Sequence, residues 1–372
     1  MEDVIVSTNP LSELGFGPFF EEQISSLCLS SPDGDREPPV VARIAAEHAG
    51  GYEVWGAHGT GRAVLAGRLR GECALGVGDW VIVDGTPSSS AVVVIERVLK
   101  HRTVFTRGAA GREARVQIIA ANVDRVFTVC GLDGDFNLRR IERYLARTWA
   151  SGAEPAVVLS KLDLCPEAEV SARVALVERH AIGVPVYAIS ALQGDGLEVL
   201  RREISPGMTL ALVGSSGAGK STLINALRGE AQMKTGEVRA RDGRGRHVTT
   251  HRQLVRLPGG GLLLDTPGMR EIQLLDADGL DGVFGDVAAH AVDCRFRDCR
   301  HETEPGCAVK AAVADGRLEG DRLAHYRQLE REARANELRH DEHRRRKAER
   351  IWGQLSDEAE RLRRWKGRKG TR

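Results

Sequence analysis

The chain has 372 residues, of which 42% are hydrophobic and 28% charged, and its formal net charge is +1. This composition is typical of a soluble protein of about two to four domains, and no apolar stretch reaches the ~18 residues that a transmembrane helix requires. The seven cysteines do not suggest a disulfide framework, and the acidic N-terminus lacks the apolar core of a signal peptide. We therefore expect a cytoplasmic protein that does not contact a membrane.

The first part of the chain is predicted to contain a flexible segment and a barrel. Residues 1–38 include the linker-like sequence SSPDGDREPP, and we expect them to be flexible, although LSELGFGPFF is apolar enough to dock elsewhere. Residues 39–108 contain five short β-type runs separated by turn residues, which predicts a small closed barrel of the OB type. Such a barrel often binds RNA, but a plain barrel with a solvated surface remains an alternative. Its basic residues are Arg62, Arg68, Arg70, Lys100, Arg102 and Arg107.

The rest of the chain changes character twice. In residues 116–286 apolar strands alternate with helices, which predicts a parallel sheet covered on both faces. Residues 287–335 contain the clustered cysteines and are predicted to form a small α-helical domain. Residues 336–372 are predicted to form a basic helical tail, which could contact a polyanion such as nucleic acid or could be a solvated helix.

A phosphate-binding loop lies between an apolar strand and a helix. The pattern GxxxxGKS predicts a P-loop, in which backbone N–H groups hold phosphate and Lys220 reaches the β- and γ-phosphates. Ser221 and Asp265 are the expected Mg²⁺ ligands, because Asp265 ends the buried strand of LLLDTPG, and Gly268 could donate its N–H to the γ-phosphate. The loop residues are Gly214, Ser215, Ser216, Gly217, Ala218, Gly219, Lys220, Ser221 and Thr222.

The residues that would read the base lie upstream of the P-loop. Asp163, in Ser160-Lys161-Leu162-Asp163, would accept from both N–H groups of the guanine edge, and the stem of Lys161 would lie over the purine. One strand later, Ser190-Ala191-Leu192 supplies the loop whose backbone N–H contacts the guanine carbonyl. An ordinary solvent turn is the alternative for the first motif. Along the sequence, the two base-reading motifs therefore come first, and the P-loop and the Walker B strand that ends at Asp265 follow them. This is the order expected if the two halves of a GTPase domain had been exchanged.

Four metal ligands lie within 14 residues near the C-terminus. Three thiolates and one imidazole complete a tetrahedral structural zinc site and leave no open position for water. Reduced cysteines without metal are the alternative. The ligands are Cys294, Cys299, His301 and Cys307.

The permuted order of motifs resembles that of the circularly permuted GTPases, and among them a bacterial ribosome-assembly family. The stretches that carry the resemblance, besides the permuted motifs, are IAANVDRVFTV, RHVTT, DTPG and CRFRDCRHETEPGCAV. The resemblance covers about residues 38–330. It implies a multi-domain fold with an N-terminal OB-type β-barrel, an α/β P-loop GTPase domain with circular permutation, and a small zinc-binding α-helical domain. It also implies binding of ribosomal RNA, late small-subunit maturation and stimulation of the GTPase by that subunit. The family usually has Asn where Ser160 stands, so we expect GTP still to be preferred, with weaker affinity.

Hydrolysis requires a group that orients the attacking water. Many GTPases use a Gln directly after DxxG, but Met269 occupies that position here and cannot do so. In the family, the His matching His247 is a proposed catalytic residue, and His251 is a weaker rival. Thr249 is the best match to the Thr that senses Mg²⁺ and γ-phosphate, and Thr250 follows it.

The sequence thus predicts a monomeric GTPase that hydrolyses GTP to GDP and acts in late maturation of the small ribosomal subunit. Its expected partners are GTP and GDP, that subunit and its rRNA, and its expected cofactors are Mg²⁺ with GTP and one structural Zn²⁺. One alternative is a GTP-switched RNA-binding module in which hydrolysis is incidental. A second is an ATPase or small-molecule kinase, which Asp163 disfavours.

Overall fold

The computed structural model describes residues 10–29, 38–69, 74–108, 116–229, 252–265 and 279–338. Within these ranges the first five strands close into a barrel in the order β1-β2-β3-β5-β4, and β4 pairs back onto β1. This is the strand order of an OB-type barrel, and the barrel prediction is confirmed. The strands are β1 (Val40–His48), β2 (Gly51–Gly56), β3 (Gly59–Leu65), β4 (Trp80–Val83) and β5 (Val92–Val98).

The N-terminal segment is ordered from residue 10 to residue 29, so the flexibility expected for residues 1–38 is wrong there. Helix α1 (Pro18–Leu29) follows a short 3-10 turn and lies against the barrel. The rings of Phe16 and Phe20 pack on Trp80 with centroid distances of 4.9 and 5.7 Å. The segment docks because large aromatic side chains gain from leaving water. Residues 1–9 and 30–37 lie outside the described part.

A mostly parallel sheet follows the barrel. Its strands run in the order β10-β9-β8-β11-β13, all parallel, and β12 pairs antiparallel with β13. A separate hairpin of β6 and β7 connects the barrel to this sheet. The strands are β6 (Val104–Gly108), β7 (Val116–Ala121), β8 (Arg125–Gly131), β9 (Glu154–Ser160), β10 (Val186–Ala188), β11 (Thr209–Val213), β12 (Gln253–Arg256) and β13 (Leu262–Asp265).

Helices cover both faces of the parallel sheet, as predicted. On one face α2 and α3 pack against residues such as Val157 and Leu159, and on the other α4 and α5 pack against Val158 and Leu212. These neighbours alternate because successive side chains of a strand point to opposite faces. The helices are α2 (Leu138–Ala150), α3 (Glu167–His180), α4 (Leu197–Arg202) and α5 (Lys220–Arg228).

Strand β12 joins the parallel sheet to the barrel, a connection that the sequence did not predict. Gln253 of β12 lies opposite Asp265 of β13 on one side and opposite Ala46 of β1 on the other. Arg252 reinforces the junction with an ion pair of 3.6 Å to Glu47. The barrel and the α/β unit therefore share one continuous sheet.

The C-terminal helices pack on the α2–α3 face of the sheet. They are α6 (Leu280–Val283), α7 (Gly285–Ala291), α8 (Ala308–Ala314) and α9, which spans residues 320–338 within the described ranges. Leu280, Phe284, Val309 and Leu329 share a core with residues of α2, α3, β8 and β9. Among the residues that the structure describes, no helix combines the length and apolar character needed to cross a membrane.

A buried charged cluster links the C-terminal helices to the α/β unit. Arg322 donates to Glu142 across 2.6 Å and forms an ion pair with Asp286, while Glu142 also contacts His180 at 3.0 Å and His325 at 2.6 Å. Glu142 is 3% and Arg322 7% exposed. Charges at this depth need partners, so the cluster fixes how the two parts pack.

Candidate functional site

The P-loop lies at the carboxyl end of the central strand β11 and leads into α5. Gly214 adopts φ +147°, and a Cβ there would lie 2.2 Å from the carbonyl oxygen of Val129, so only glycine fits. The Nζ of Lys220 donates to the carbonyl oxygens of Gly214, at 2.7 Å, and Ser215. The lysine side chain thus folds back onto the loop that the sequence predicts to hold phosphate. Lys220 is also the first residue of α5, so the helix N-terminus lies at the same loop.

The first base-reading motif contacts the P-loop directly. Strand β9 ends at Ser160, which is buried, and its Oγ donates to the carbonyl oxygen of Ala218 across 2.6 Å. A Cβ on Gly219 would lie 3.3 Å from the same Oγ, so the two loops approach as closely as glycine permits. The short side chain of Ser160 therefore braces the P-loop.

The two base-reading loops are joined by hydrogen bonds. The Oγ of the buried Ser190 donates to Oδ1 of Asp163 across 2.6 Å, and the N–H of Leu162 donates to the carbonyl of Ile189 across 3.0 Å. Lys161 adopts a left-handed backbone conformation, φ +62°, which is uncommon for a residue with a side chain. Ala191 is half-buried and Leu192 exposed at the same edge. The structure therefore brings residues 160–163, 190–192 and 214–222 together.

A further loop, which the sequence motifs did not predict to belong to the site, also reaches this edge. Asp133, after β8, accepts from Nζ of Lys161 across 2.6 Å, and Asp135 accepts from the hydroxyl of Ser215. The hydrogen bond from Lys161 holds the pKa of Asp133 below its usual value. The signal in the sequence is two carboxylates directly after a buried strand, at the edge where the carboxyl ends of parallel strands meet.

Two oxygen donors could hold Mg²⁺ beside the P-loop. Asp265 ends β13, the parallel neighbour of β11, and Ser221 lies in the first turn of α5. Burial raises the pKa of Asp265, an effect that the nearby charge of Arg228 opposes. A bound cation would stabilise the ionised form of this buried carboxylate, and a carboxylate together with a hydroxyl is a donor set that suits Mg²⁺.

Several predicted residues of this site lie outside the described residues. These are His247, Thr249, Thr250 and His251 in the expected first switch, and Gly268 and Met269 after the Walker B strand.

A second candidate site lies between α7 and α8. The ligand atoms of the four predicted residues all lie within 4.8 Å of one another. Sγ of Cys294 is 3.6 Å from Nδ1 of His301 and 3.9 Å from Sγ of Cys307, and the distance between His301 and Cys307 is 3.4 Å. A zinc tetrahedron has S···S edges of about 3.8 Å and S···N edges of about 3.5 Å, whereas a disulfide measures about 2.05 Å.

The surroundings also favour a metal. Burial lowers the pKa of His301, which keeps the imidazole in its neutral, ligating form. Cys307 caps α8 by accepting from the N–H of Lys310 at 3.4 Å. Cys294, Cys299, His301 and Cys307 thus form a metal-binding cluster that fits a structural zinc.

The family model and the most similar relatives that we found agree on one family. The family model of the RsgA GTPase matches residues 98–275. The Small ribosomal subunit biogenesis GTPase RsgA of Opitutus terrae is 47% identical over 337 residues, covering 87% of this chain and 89% of that protein. The protein of the same name from Xylella fastidiosa strain 9a5c is 52% identical over 254 residues, 68% of this chain and 72% of that protein.

Two solved structures share the fold. YjeQ from Thermotoga maritima aligns with a TM-score of 0.62 and 28% identity, covering 79% of this chain and 98% of its own. YloQ, described as a circularly permuted GTPase, aligns with a TM-score of 0.60 and 23% identity, covering 82% of this chain and 98% of its own. The predicted fold class is confirmed: a barrel, an α/β P-loop domain with circular permutation, and a C-terminal region with a metal-binding cluster.

Proposed function

The chain belongs to the RsgA GTPase family, and from this premise we propose that it binds the small ribosomal subunit, acts in its late maturation, and hydrolyses GTP with stimulation by that subunit. The observation that carries the GTP assignment is the contact of Ser160 with Ala218, which unites the base-reading loops with the P-loop. The ribosomal assignment is supported by the names of the relatives, which are small ribosomal subunit biogenesis GTPases. We place this activity in the cytoplasm and in a monomer.

We propose a role for each residue of the nucleotide site. Asp163 accepts from the guanine edge and is oriented by Ser190. Residues 214–222 hold the phosphates, and Lys220 exchanges its carbonyl partners for phosphate oxygens. Mg²⁺, held by Ser221 and Asp265, would neutralise charge on the phosphates. We keep His247 as the group that orients water, with Thr249 and Thr250 sensing the γ-phosphate.

Two surfaces support rRNA binding. The zinc loop between Cys294 and Cys299 exposes Arg295 and Arg297 on either side of Phe296, whose ring is 40% exposed. In the barrel, Arg62, Arg68 and Lys100 are exposed. Arg102 forms an ion pair with Asp124 of the α/β unit, so it contributes less to such a surface. Cationic side chains beside an exposed ring suit phosphates and unstacked bases.

The test measures GTP turnover, and binding by co-sedimentation, with purified small subunits, large subunits or neither. The proposal expects stimulation by small subunits only, and loss of that stimulation in His247→Ala with GTP binding retained. Binding to small subunits in the GTP state without stimulation would favour the alternative, a GTP-switched RNA-binding module. No binding to either subunit would contradict the ribosomal assignment while leaving the GTPase assignment intact.

A further inference from the structure

The loop that follows β8, residues 131–137, carries two carboxylates that contact two different parts of the nucleotide site. Oδ2 of Asp133 accepts from Nζ of Lys161 across 2.6 Å. Oδ2 of Asp135 accepts from the hydroxyl of Ser215, the second residue of the P-loop. We propose that Asp133 and Asp135 are positioning residues for guanine nucleotide: Asp133 sets the lysine that lies over the purine, and Asp135 sets the start of the P-loop.

The backbone around Gly131 leaves room for the contact between Asp133 and Lys161. A Cβ at Gly131 would lie 2.5 Å from Oδ1 of Asp133, so a larger residue would displace that carboxylate, and it would touch Cδ of Lys161 at 3.5 Å. Gly131 is paired with Ser160, the residue before the lysine, and the N–H of Leu132 donates to the Ser160 carbonyl across 2.8 Å. The acidic loop and the base-reading loop therefore form one unit at the sheet edge.

Other contacts hold the loop itself. Arg140 donates to the carboxylate of Asp135 at 2.8 Å and also to its carbonyl oxygen. Arg173 donates to the carbonyl of Leu132 at 2.6 Å and lies over the ring of Phe136, 5.3 Å from its centre. A loop fixed by two arginines can place its carboxylates reproducibly, which a mobile surface residue cannot do.

The charges suit such a role. The pKa of Asp133 lies below its usual value because Lys161 donates to it, so the carboxylate is ionised at neutral pH. An ammonium group has three donors, so the bond to Asp133 leaves Nζ able to contact a nucleotide oxygen. Without Asp133, a lysine side chain would sample many rotamers, and nucleotide binding would have to order it.

This inference rests on the proposed GTP-binding function, and a double-mutant cycle tests it on the full chain. The probe is fluorescent GDP, titrated into wild type, Asp133→Asn, Lys161→Met and the double variant. Because the pair is partly exposed, we expect Asp133→Asn to weaken GDP binding roughly two- to fivefold. In the Lys161→Met background the same change should have no further effect, since its partner is gone.

A parallel cycle of Asp135→Asn with Ser215→Ala should be non-additive in the same way. Asp133→Glu should restore part of the affinity, and Asp315→Asn, which removes an exposed ion pair with Arg317, should leave it unchanged. Unchanged GDP affinity in Asp133→Asn, or additive effects in the cycle, would overturn the inference. Wild type that binds no guanine nucleotide would instead overturn the proposed function.

Discussion

The hydroxyl of Ser160 donates a hydrogen bond to the carbonyl oxygen of Ala218 across 2.6 Å, although 58 residues separate them. Ser160 ends one strand of the parallel sheet and Ala218 lies in the P-loop that follows another. Their contact shows that the upstream motif and the P-loop occupy one site. Because the half that is predicted to read the base comes first in the sequence, the chain after Asp265 leads toward the metal-binding cluster rather than toward a base-reading loop.

Removing this hydroxyl should weaken both the fold and nucleotide binding. Ser160→Ala leaves the buried carbonyl of Ala218 without its donor, and we expect about 1 kcal/mol less stability toward urea. GDP affinity should fall as well, because the P-loop loses a brace. Ser171→Ala removes an exposed serine that donates to the carbonyl of Glu167, and it should leave both quantities unchanged. Equal behaviour of the two variants would contradict the bracing role of Ser160.

The metal-binding cluster should contain zinc and stabilise the C-terminal region. Purified wild type should carry close to one equivalent of zinc, and Cys294→Ser should lose most of it. The ligand atoms of Cys294, His301 and Cys307 lie at tetrahedral distances, and all four ligand atoms lie within 4.8 Å of one another. The melting temperature should fall with the loss, since metal binding contributes folding energy. Elemental analysis provides the measurement, with Cys28→Ser, an exposed cysteine, as control. Zinc-free wild type with unchanged melting after chelation would contradict the assignment.

The buried cluster around Glu142 should be costly to disrupt. Glu142→Ala removes a buried carboxylate that pairs with Arg322 and contacts two histidines, and we expect a loss of about 3–5 kcal/mol. Glu198→Ala, which removes an exposed ion pair with Arg201, should change stability by less than about 0.5 kcal/mol. Urea unfolding curves compare the two variants. A small effect of Glu142→Ala would mean that water or a side-chain shift solvates Arg322.

One histidine should make stability depend on pH. His101 lies 2.8 Å from the fully buried Asp79, and the hydrogen bond that its Nδ1 donates to this carboxylate raises the pKa of His101 above 6.5. A raised pKa means that the stabilisation is fully present below pH 6.5 and is lost as pH rises through the folded-state value. Wild type should therefore be less stable at about pH 8 than at about pH 6, and His101→Gln should reduce this difference. His48→Gln, at an exposed histidine, is the control, and an unchanged pH dependence in His101→Gln would exclude the pair as its source.

The features that local sequence determines could be predicted. The barrel strands follow from short alternating runs, and the metal ligands from their spacing between Cys294 and Cys307. Pairing between distant segments could not be predicted in this way: β12 is four residues long, and its position between β1 and β13 depends on tertiary packing. The glycine-rich stretch around Asp133 has the composition of an ordinary turn. Glu142 lies on an amphipathic helix, where a carboxylate is normally expected on the solvated face.

The most direct test of the permuted guanine site is a change of base preference. Asp163 accepts from N–H groups of guanine, whereas Asn at this position would present an NH₂ group, which matches the carbonyl of xanthine. We expect Asp163→Asn to lose GTP affinity on the order of a hundredfold and to bind xanthosine triphosphate instead, while Asp315→Asn keeps GTP. Preference would be measured by competition against fluorescent nucleotide. A variant that still prefers GTP to xanthosine triphosphate would contradict the assignment of base reading to the upstream half of the chain.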